Sequence, residues 1–232
     1  MNLPDFYNPV GYSIIKRQWL IRQFPGIENV QVNFSQLHQD MFVLCLLDGQ
    51  RGGSYLEVGA NEPMFMSNTY LLESAFGWRG VGLELDAAMV ERHRRMRSNP
   101  CHLQDACSAD YDRLLSAAGL GRVIDYLSVD ADPAEVTLAA LKRIPHRSYR
   151  FRAITFEHDL SAGGARELVE SREFLHSLGY QLVVSNVAWA DWVVEDWWAD
   201  PALVDGGILA ALTRDDEQHH EHDRYIYGGY PA

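Results

Sequence analysis

A chain of 232 residues that is 47% hydrophobic is long enough to bury one core and falls in the range of a single α/β domain. Its formal net charge of −12 repels nucleic-acid phosphates and anionic membrane surfaces, which argues against either as a partner. Three cysteines without a C-x-x-C pair indicate neither a disulfide framework nor a cysteine zinc site, and the lack of a leader-like or spanning apolar run predicts a cytoplasmic protein.

Residues 1–34 mix aromatic and basic positions (Tyr7, Tyr12, Lys16, Arg17, Trp19, Arg22) around Pro25 and Gly26 and are expected to form an N-terminal extension packed on the core. The spacing of Leu37, Met41, Leu44 and Leu47 predicts a helix over 36–47 with one apolar face. Apolar runs then predict strands at 55–58, 81–85, 102–103, 124–129, 153–156 and 181–184. Helical patterns fall between them at 68–76, 87–97, 110–118, 133–143 and 165–178. Such alternation predicts an α/β fold, a mostly parallel sheet with helices on both faces.

Beyond Val187, Trp189, Trp192, Trp197 and Trp198 crowd with Asp191, Glu195, Asp196 and Asp200, as a last strand and an aromatic flap would. Rings beside carboxylates suit a sugar-binding surface; the alternative is that Trp197 and Trp198 staple the C-terminal segment to the core. Residues 201–232 form a C-terminal arm with His219, His220, His222, Tyr225, Tyr227 and Tyr230. It is expected to cover a site or to contact another subunit of a homo-oligomer. The basic run Arg92, Arg94, Arg95 and Arg97 reads as a solvated helix face, and Arg147, Arg150 and Arg152 precede a strand and belong at the sheet edge away from a site.

Two segments carry the chemistry. The first, 53–63, contains Glu57, Gly59, Ala60, Asn61 and Glu62; the second, 80–86, ends in Glu84 and Asp86. A strand, a small-residue turn and a second strand ending in a carboxylate suit a nucleoside ligand, because the turn admits close backbone approach and the carboxylate accepts from ribose hydroxyls. A dinucleotide fingerprint requires three glycines and a helix N-terminus open to pyrophosphate. Here there is one glycine, and Glu57 and Glu62 would repel phosphate. They suit the ammonium and sulfonium of S-adenosylmethionine. Asp105 and Ala106 follow the third strand, where a carboxylate and a backbone amide could read an adenine edge, although Asp105 also fits an ordinary surface loop. Ser67 or Asn68 fits a helix N-cap as well as a ligand contact.

Several separated motifs agree in type and order: Ser35 and Gln36 with Gln39 and Asp40, the turn 59–62, Ser67 to Thr69, Gly77 to Gly80, the run 124–130 ending in Asp130, and Thr155 to His158. Over 35–200, taken as the catalytic domain, the chain resembles the FkbM-type S-adenosylmethionine-dependent methyltransferases. The resemblance implies a class I, Rossmann-like methyltransferase with a seven-stranded, mostly parallel sheet closed by an antiparallel final strand. It implies that Glu57, Gly59, Ala60 and Asn61 line the methionine part of the cofactor, with Ser67, Asn68 and Thr69 near the next helix start and Asp130 close by. Glu84 would hold the ribose, and Asp105 with Ala106 the adenine.

Family members commonly continue the fourth strand as Asp-x-Glu-Gly-x-Glu, whereas this chain has Asp130, Asp132, Pro133 and Glu135. Pro133 suits the first helical position, Asp132 the N-cap and Glu135 a capping box, which leaves Asp130 for chemistry. Asp130 ends the fourth strand and Glu157 with His158 ends the fifth, so both meet at the carboxyl edge where open α/β sheets bind ligands. With a reference pKa near 6.5, His158 is better matched to neutral pH as general base than a free carboxylate. A second mechanism uses Asp130, Glu157 and His158 as ligands of a divalent cation (Mg²⁺, Mn²⁺ or Fe²⁺). It requires Glu157 and His158 to converge, although neighbours on a strand point to opposite faces. The expected activity is methyl transfer to a hydroxyl of a small molecule: a sugar, a nucleotide-linked sugar or a secondary metabolite. N-methylation of an amine or phosphoramidate, and a non-catalytic module that binds the cofactor without turnover, are the alternatives.

Overall fold

The computed structural model describes residues 13–216 and 218–228, so Tyr7, Tyr12 and Tyr230 lie outside the described residues. An antiparallel pair, β1 (Ser13–Ile14) and β2 (Val32–Asn33), precedes α1 (Gln39–Leu46). The alternating part follows as β3 (Ser54–Val58), α2 (Tyr70–Phe76), β4 (Arg79–Glu84), α3 (Ala87–Met96), β5 (Cys101–Leu103), α4 (Tyr111–Ala117), β6 (Val123–Val129), α5 (Ala134–Arg143), β7 (Arg150–Glu157) and α6 (Ala165–Ser177). A hairpin of β8 (Gln181–Trp189) and β9 (Trp192–Ala199), then α7 (Gly206–Leu212), β10 (His220–Glu221) and α8 (His222–Ile226), complete the chain.

The main sheet has eight strands in the order β10-β8-β9-β7-β6-β3-β4-β5, one more than expected. β3 to β7 pair in parallel, β9 runs antiparallel to both β7 and β8, and β10 adds parallel to the outer edge of β8. The extra strand comes from the arm. Two residues leave no periodic signal, yet they cover backbone groups that the edge of β8 would otherwise expose.

Side chains of the central strands alternate between two cores. Tyr55, Tyr126, Ala153 and Trp197 join α1, α2, α7 and α8 on one face. Leu56, Leu127, Ile154 and Trp198 join α4, α5 and α6 on the other. Three sequence expectations change at this level. Every residue of α1 is buried, because Leu20, Phe24, Ile27 and Val30 of the preceding segment cover the side opposite the sheet, so the helix is enclosed rather than amphipathic. Trp197 and Trp198 are fully buried: Trp197 stacks on Phe42 with centroids 4.6 Å apart, and Trp198 meets the edge of His176. They are core residues, as the stapling alternative has it, and not a sugar-facing surface; of the four rings the exposed ones are Trp189 and Trp192, paired beside the hairpin turn.

The third change is at α5. Pro133 takes the N-cap with extended backbone and Asp132 falls one residue outside the helix, so no side chain caps it. Thr137 instead ties down the preceding loop: its hydroxyl accepts from Ala131 N–H at 3.1 Å and donates to the Ala131 carbonyl. Asp132 is thereby left exposed at the sheet edge.

Candidate active site

The carboxyl ends of β3, β4, β5 and β6 surround a cleft of about 320 Å³. Its floor is the turn after β3. Gly59 has φ +78, and a Cβ there would lie 1.6 Å from the Asp130 carbonyl, so only glycine lets this turn lie against the end of β6. The Gly59 and Ala60 amides both donate to the Leu83 carbonyl at 3.0 Å, which ties the turn to β4. Glu84 closes the same junction: Oε2 accepts from Asn61 N–H at 2.7 Å, and Oε1 accepts from Leu85 and Asp86 N–H at 2.7 and 2.8 Å. One carboxylate therefore holds both motif turns together.

Of the residues expected at a cofactor, Glu57, Gly59, Ala60, Asn61, Asn68, Glu84, Asp105, Ala106 and Asp130 line the cleft, as do Gln36 and Met66. The last two arrive together because Ser35 and Met66 form a β-bridge. Among the described residues the lining holds five carboxylates, Glu57, Glu84, Asp105, Asp130 and Asp132, and no lysine, arginine or histidine. Burial raises Glu57 to about 7 against the opposing pull of Arg97. Asn68 is buried; its Nδ2 donates to Ser128 Oγ at 2.9 Å, and its Oδ1 has no protein partner.

Ser67 and Thr69 lie behind the wall. Ser67 Oγ accepts from the Thr69 and Tyr70 amides at the start of α2, and Thr69 Oγ1 donates to Glu57 Oε2 at 2.8 Å. Glu62 is turned to α3, where it pairs with Arg92, and it accepts from Met64 and Phe65 N–H at 3.1 and 3.2 Å. It is a loop-closing residue rather than a cleft carboxylate.

A second acidic group lies beside Asp130. Burial and then the adjoining Asp130 carboxyl push Glu157 far above the usual carboxylate range, and the two share a hydrogen bond. Asp130 and Asp159 are also raised, by burial first. Glu195, on β9 opposite Glu157, is raised by burial to about 8 and accepts from Trp197 Nε1 at 2.5 Å. At neutral pH this group therefore retains protons that isolated carboxylates would have lost.

His158 departs from its expected place. It is fully buried: Nδ1 accepts from Leu160 N–H at 3.2 Å, and Nε2 sits 3.6 Å from Asp196 Oδ1. The pleat is the reason, since Glu157 and His158 are neighbours on a strand end and face opposite ways. Asp196 in turn holds Arg172 through two contacts of 2.7 and 2.8 Å. Although burial alone would raise Asp196, these partners hold it at about 2. The metal-ligand expectation changes with the same geometry. Asp132, Glu157 and Asp159 bring one oxygen each within 4.8 Å of one another, whereas Asp130 and His158 are not in that set. Asp159 converges with Glu157 because the strand has ended, with Asp159 in the left-handed region at φ 52.

Arg97 is a site-supporting residue that the sequence reading missed, because it was grouped with Arg94 and Arg95. Those two are exposed and pair with Glu91, while Arg97 points inward.

Neither a protein-family model nor a curated protein sequence matches the chain. Among solved structures, a putative rRNA methylase from Clostridium thermocellum superposes with a TM-score of 0.51 over 70% of this chain and 93% of its own, at 10% identity. Aeropyrum pernix fibrillarin in complex with S-adenosyl-L-methionine gives 0.48 at 14% identity, over 71% of this chain and 77% of its own. A putative O-methyltransferase from Klebsiella pneumoniae gives 0.45 at 17% identity, over 70% and 80%. The chain has the Rossmann-like fold of class I S-adenosylmethionine-dependent methyltransferases, with one additional edge strand. Among the described residues no helix is long and apolar enough to cross a membrane.

Proposed function

We propose that this chain is an S-adenosylmethionine-dependent methyltransferase acting on a hydroxyl of a small molecule, as the resemblance to FkbM-type enzymes implies. The observation that carries the cofactor reading is the cleft wall, which has five carboxylates and no basic side chain. Such a wall suits a ligand with an ammonium and a sulfonium, and repels dinucleotide phosphates. In this reading Glu57 and Asn68 receive the amino-acid part, Glu84 the ribose, and Asp105 with the backbone at Ala106 the adenine.

For the acceptor, the proton-retaining carboxyls replace His158. Of the hydrogen-bonded pair Asp130 and Glu157, Glu157 holds the proton, and Asp130, raised above a free carboxylate, is the member left as base. The pair would orient an acceptor hydroxyl, and the ionised Asp130 would take its proton as the methyl group transfers and S-adenosylhomocysteine leaves. A sugar, nucleotide-linked sugar or secondary-metabolite hydroxyl is the proposed acceptor class.

The all-acidic surroundings favour one variation on this reading. Asp132, Glu157 and Asp159 offer three carboxylate oxygens, a donor set suited to Mg²⁺ or Mn²⁺ and less to Fe²⁺ now that no imidazole joins it. When bound, such an ion would lower the pKa of an acceptor hydroxyl. The same carboxyls would also bind an amine acceptor, the N-methylation alternative.

Calorimetric titration with S-adenosylhomocysteine tests the cofactor half, and absence of binding at millimolar ligand would sink it. A methyl-donor assay over hydroxyl and amine acceptors, run with and without exhaustive chelation, tests the rest. Turnover confined to amines would overturn the hydroxyl reading, and full activity after chelation would remove the cation.

A further inference from the structure

The segment from Asn61 to Thr69 is held from behind by α3 and the residue that follows it. His93 Nε2 lies 3.0 Å from the Asn61 carbonyl. One turn later, Arg97 has a side chain only 1% exposed, and all five of its N–H donors have acceptors. Nε donates to Glu73 Oε2 at 2.8 Å, Nη1 to the Pro63 carbonyl at 3.0 Å and Ser67 Oγ at 3.2 Å, and Nη2 to Tyr55 OH at 3.0 Å and Thr69 Oγ1 at 2.9 Å. Such a buried, saturated guanidinium fixes three points of one loop.

The Thr69 contact has a direction. Because Thr69 Oγ1 accepts from a cation, its single proton is free to point away, and it does so toward Glu57 Oε2 at 2.8 Å. A donor aimed at a carboxylate favours the ionised form. Glu57 lines the cleft, and its Oε1 has no protein donor among the described residues. We propose that Arg97 is a positioning residue of the cofactor site: without touching the cleft it fixes, through Thr69, an ionised Glu57 whose second oxygen receives the ammonium group of the cofactor. This inference rests on the S-adenosylmethionine reading above.

The other groups acting on Glu57 oppose that state or are neutral. Burial, Glu73 from α2 and Asp130 from the end of β6 disfavour its charge, and among the described residues Arg97 is the cation that counters them. Tyr55 on its own strand, Tyr126 on β6 and Cys101 on β5 also face it. Glu57 is consequently raised to about 7.

The test is calorimetric titration of S-adenosylhomocysteine into the wild type, Thr69→Val, Glu57→Gln and the double variant, between pH 6 and 8.5. Deleting a hydrogen bond to a charged group costs about 1.5 kcal/mol or more, so Thr69→Val is expected to weaken binding about tenfold or more at pH 7. In the Glu57→Gln background the same change should cost less than about twofold, because the relay then ends on a neutral amide. Wild-type affinity should fall as pH drops through about 7, and Thr69→Val should move that midpoint upward. Arg97→Gln should act in the same direction; if it does not fold, the Thr69 cycle still decides, since that change removes only the relay. Equal losses in both backgrounds, or a loss independent of pH, would overturn the inference while leaving the cofactor reading intact. No binding by the wild type would remove both.

Discussion

Replacing Glu84 by alanine separates its structural from its ligand role. In the structure, three of the roughly four lone-pair sites of a carboxylate are taken by the Asn61, Leu85 and Asp86 amides. All three are solvent-exposed hydrogen bonds, so water can replace the lost acceptor and the fold should lose only about 1 kcal/mol. That leaves about one strong charged acceptor site, on Oε2, for a ribose hydroxyl. A hydrogen bond to a charged group contributes about 1.5–3 kcal/mol, which corresponds to a loss of about ten- to a hundredfold in affinity. Calorimetry with S-adenosylhomocysteine reads this directly. 5′-Methylthioadenosine, which keeps the ribose but lacks the amino-acid group, should suffer the same loss. Glu84→Gln retains one acceptor oxygen and should fall between wild type and Glu84→Ala. If Glu84→Ala binds either ligand within about twofold of wild type, the ribose assignment is wrong.

The acidic group predicts the sign of the pH dependence of stability. Asp130, Glu157 and Asp159 are raised, Asp40, Glu57 and Glu195 rise to about 6, 7 and 8, and all exceed the range of about 4 that they have in the unfolded chain. Below about 6.5 the buried His38, His93, His146 and His222, held low by burial, oppose this because they bind protons only when unfolded; above it the folded protein keeps the excess protons of the raised carboxyls, so stability decreases as pH rises from about 6.5 to 8. A ligand-free thermal midpoint that is flat or rising over this interval would contradict the assignment. Asp196 works the other way: held at about 2, its contribution is present above about 3.9 and lost as pH falls through the folded value. Asp196→Asn leaves Arg172 and His158 with a neutral partner in a buried position and is expected to cost about 3–5 kcal/mol in urea unfolding. A cost below about 1 kcal/mol would mean that the pair is solvated.

The alternation of apolar runs with helical patterns was enough to place the helices near their observed bounds, because central strands buried on both faces read as continuous Val, Leu and Ile runs. It also placed the cleft: Gly59 and Glu84 end successive parallel strands, and parallel pairing brings such ends together. Side-chain direction was less legible. One residue of offset at a strand end decides whether His158 or Glu157 faces Asp130, and composition carries no sign of it. The α3 arginines were misread for a similar reason. Arg94 and Arg97 are three residues apart, but Arg97 follows the last residue of α3 and reaches Tyr55 on β3 and Glu73 on α2 as well as the loop before α2. Pro133 was expected one position later in α5 than it sits, since sequence fixes that a proline belongs near a helix start but not which flanking position it takes. The enclosed α1 depended on a segment, 15–30, whose own pattern has no period.

The backbone amides of His158 and Asp159 both donate to the Val194 carbonyl, at 2.9 and 2.8 Å. Through this shared acceptor the loop carrying Glu157 and Asp159 is fastened to β9, whereas the cofactor wall is fastened to β4 through Leu83 and Glu84. The two loops thus hang from opposite sides of the β3–β6 pair, which joins them along its ladder and where Gly59 meets Asp130. Under the proposed function, divergence in the β8–β9 hairpin would reach Glu157 and Asp159 through Val194 and leave the junction of β3 with β4 as it is. A library confined to 189–193, screened against an acceptor panel at constant S-adenosylhomocysteine affinity, tests this, and an acceptor preference that does not move would refute it.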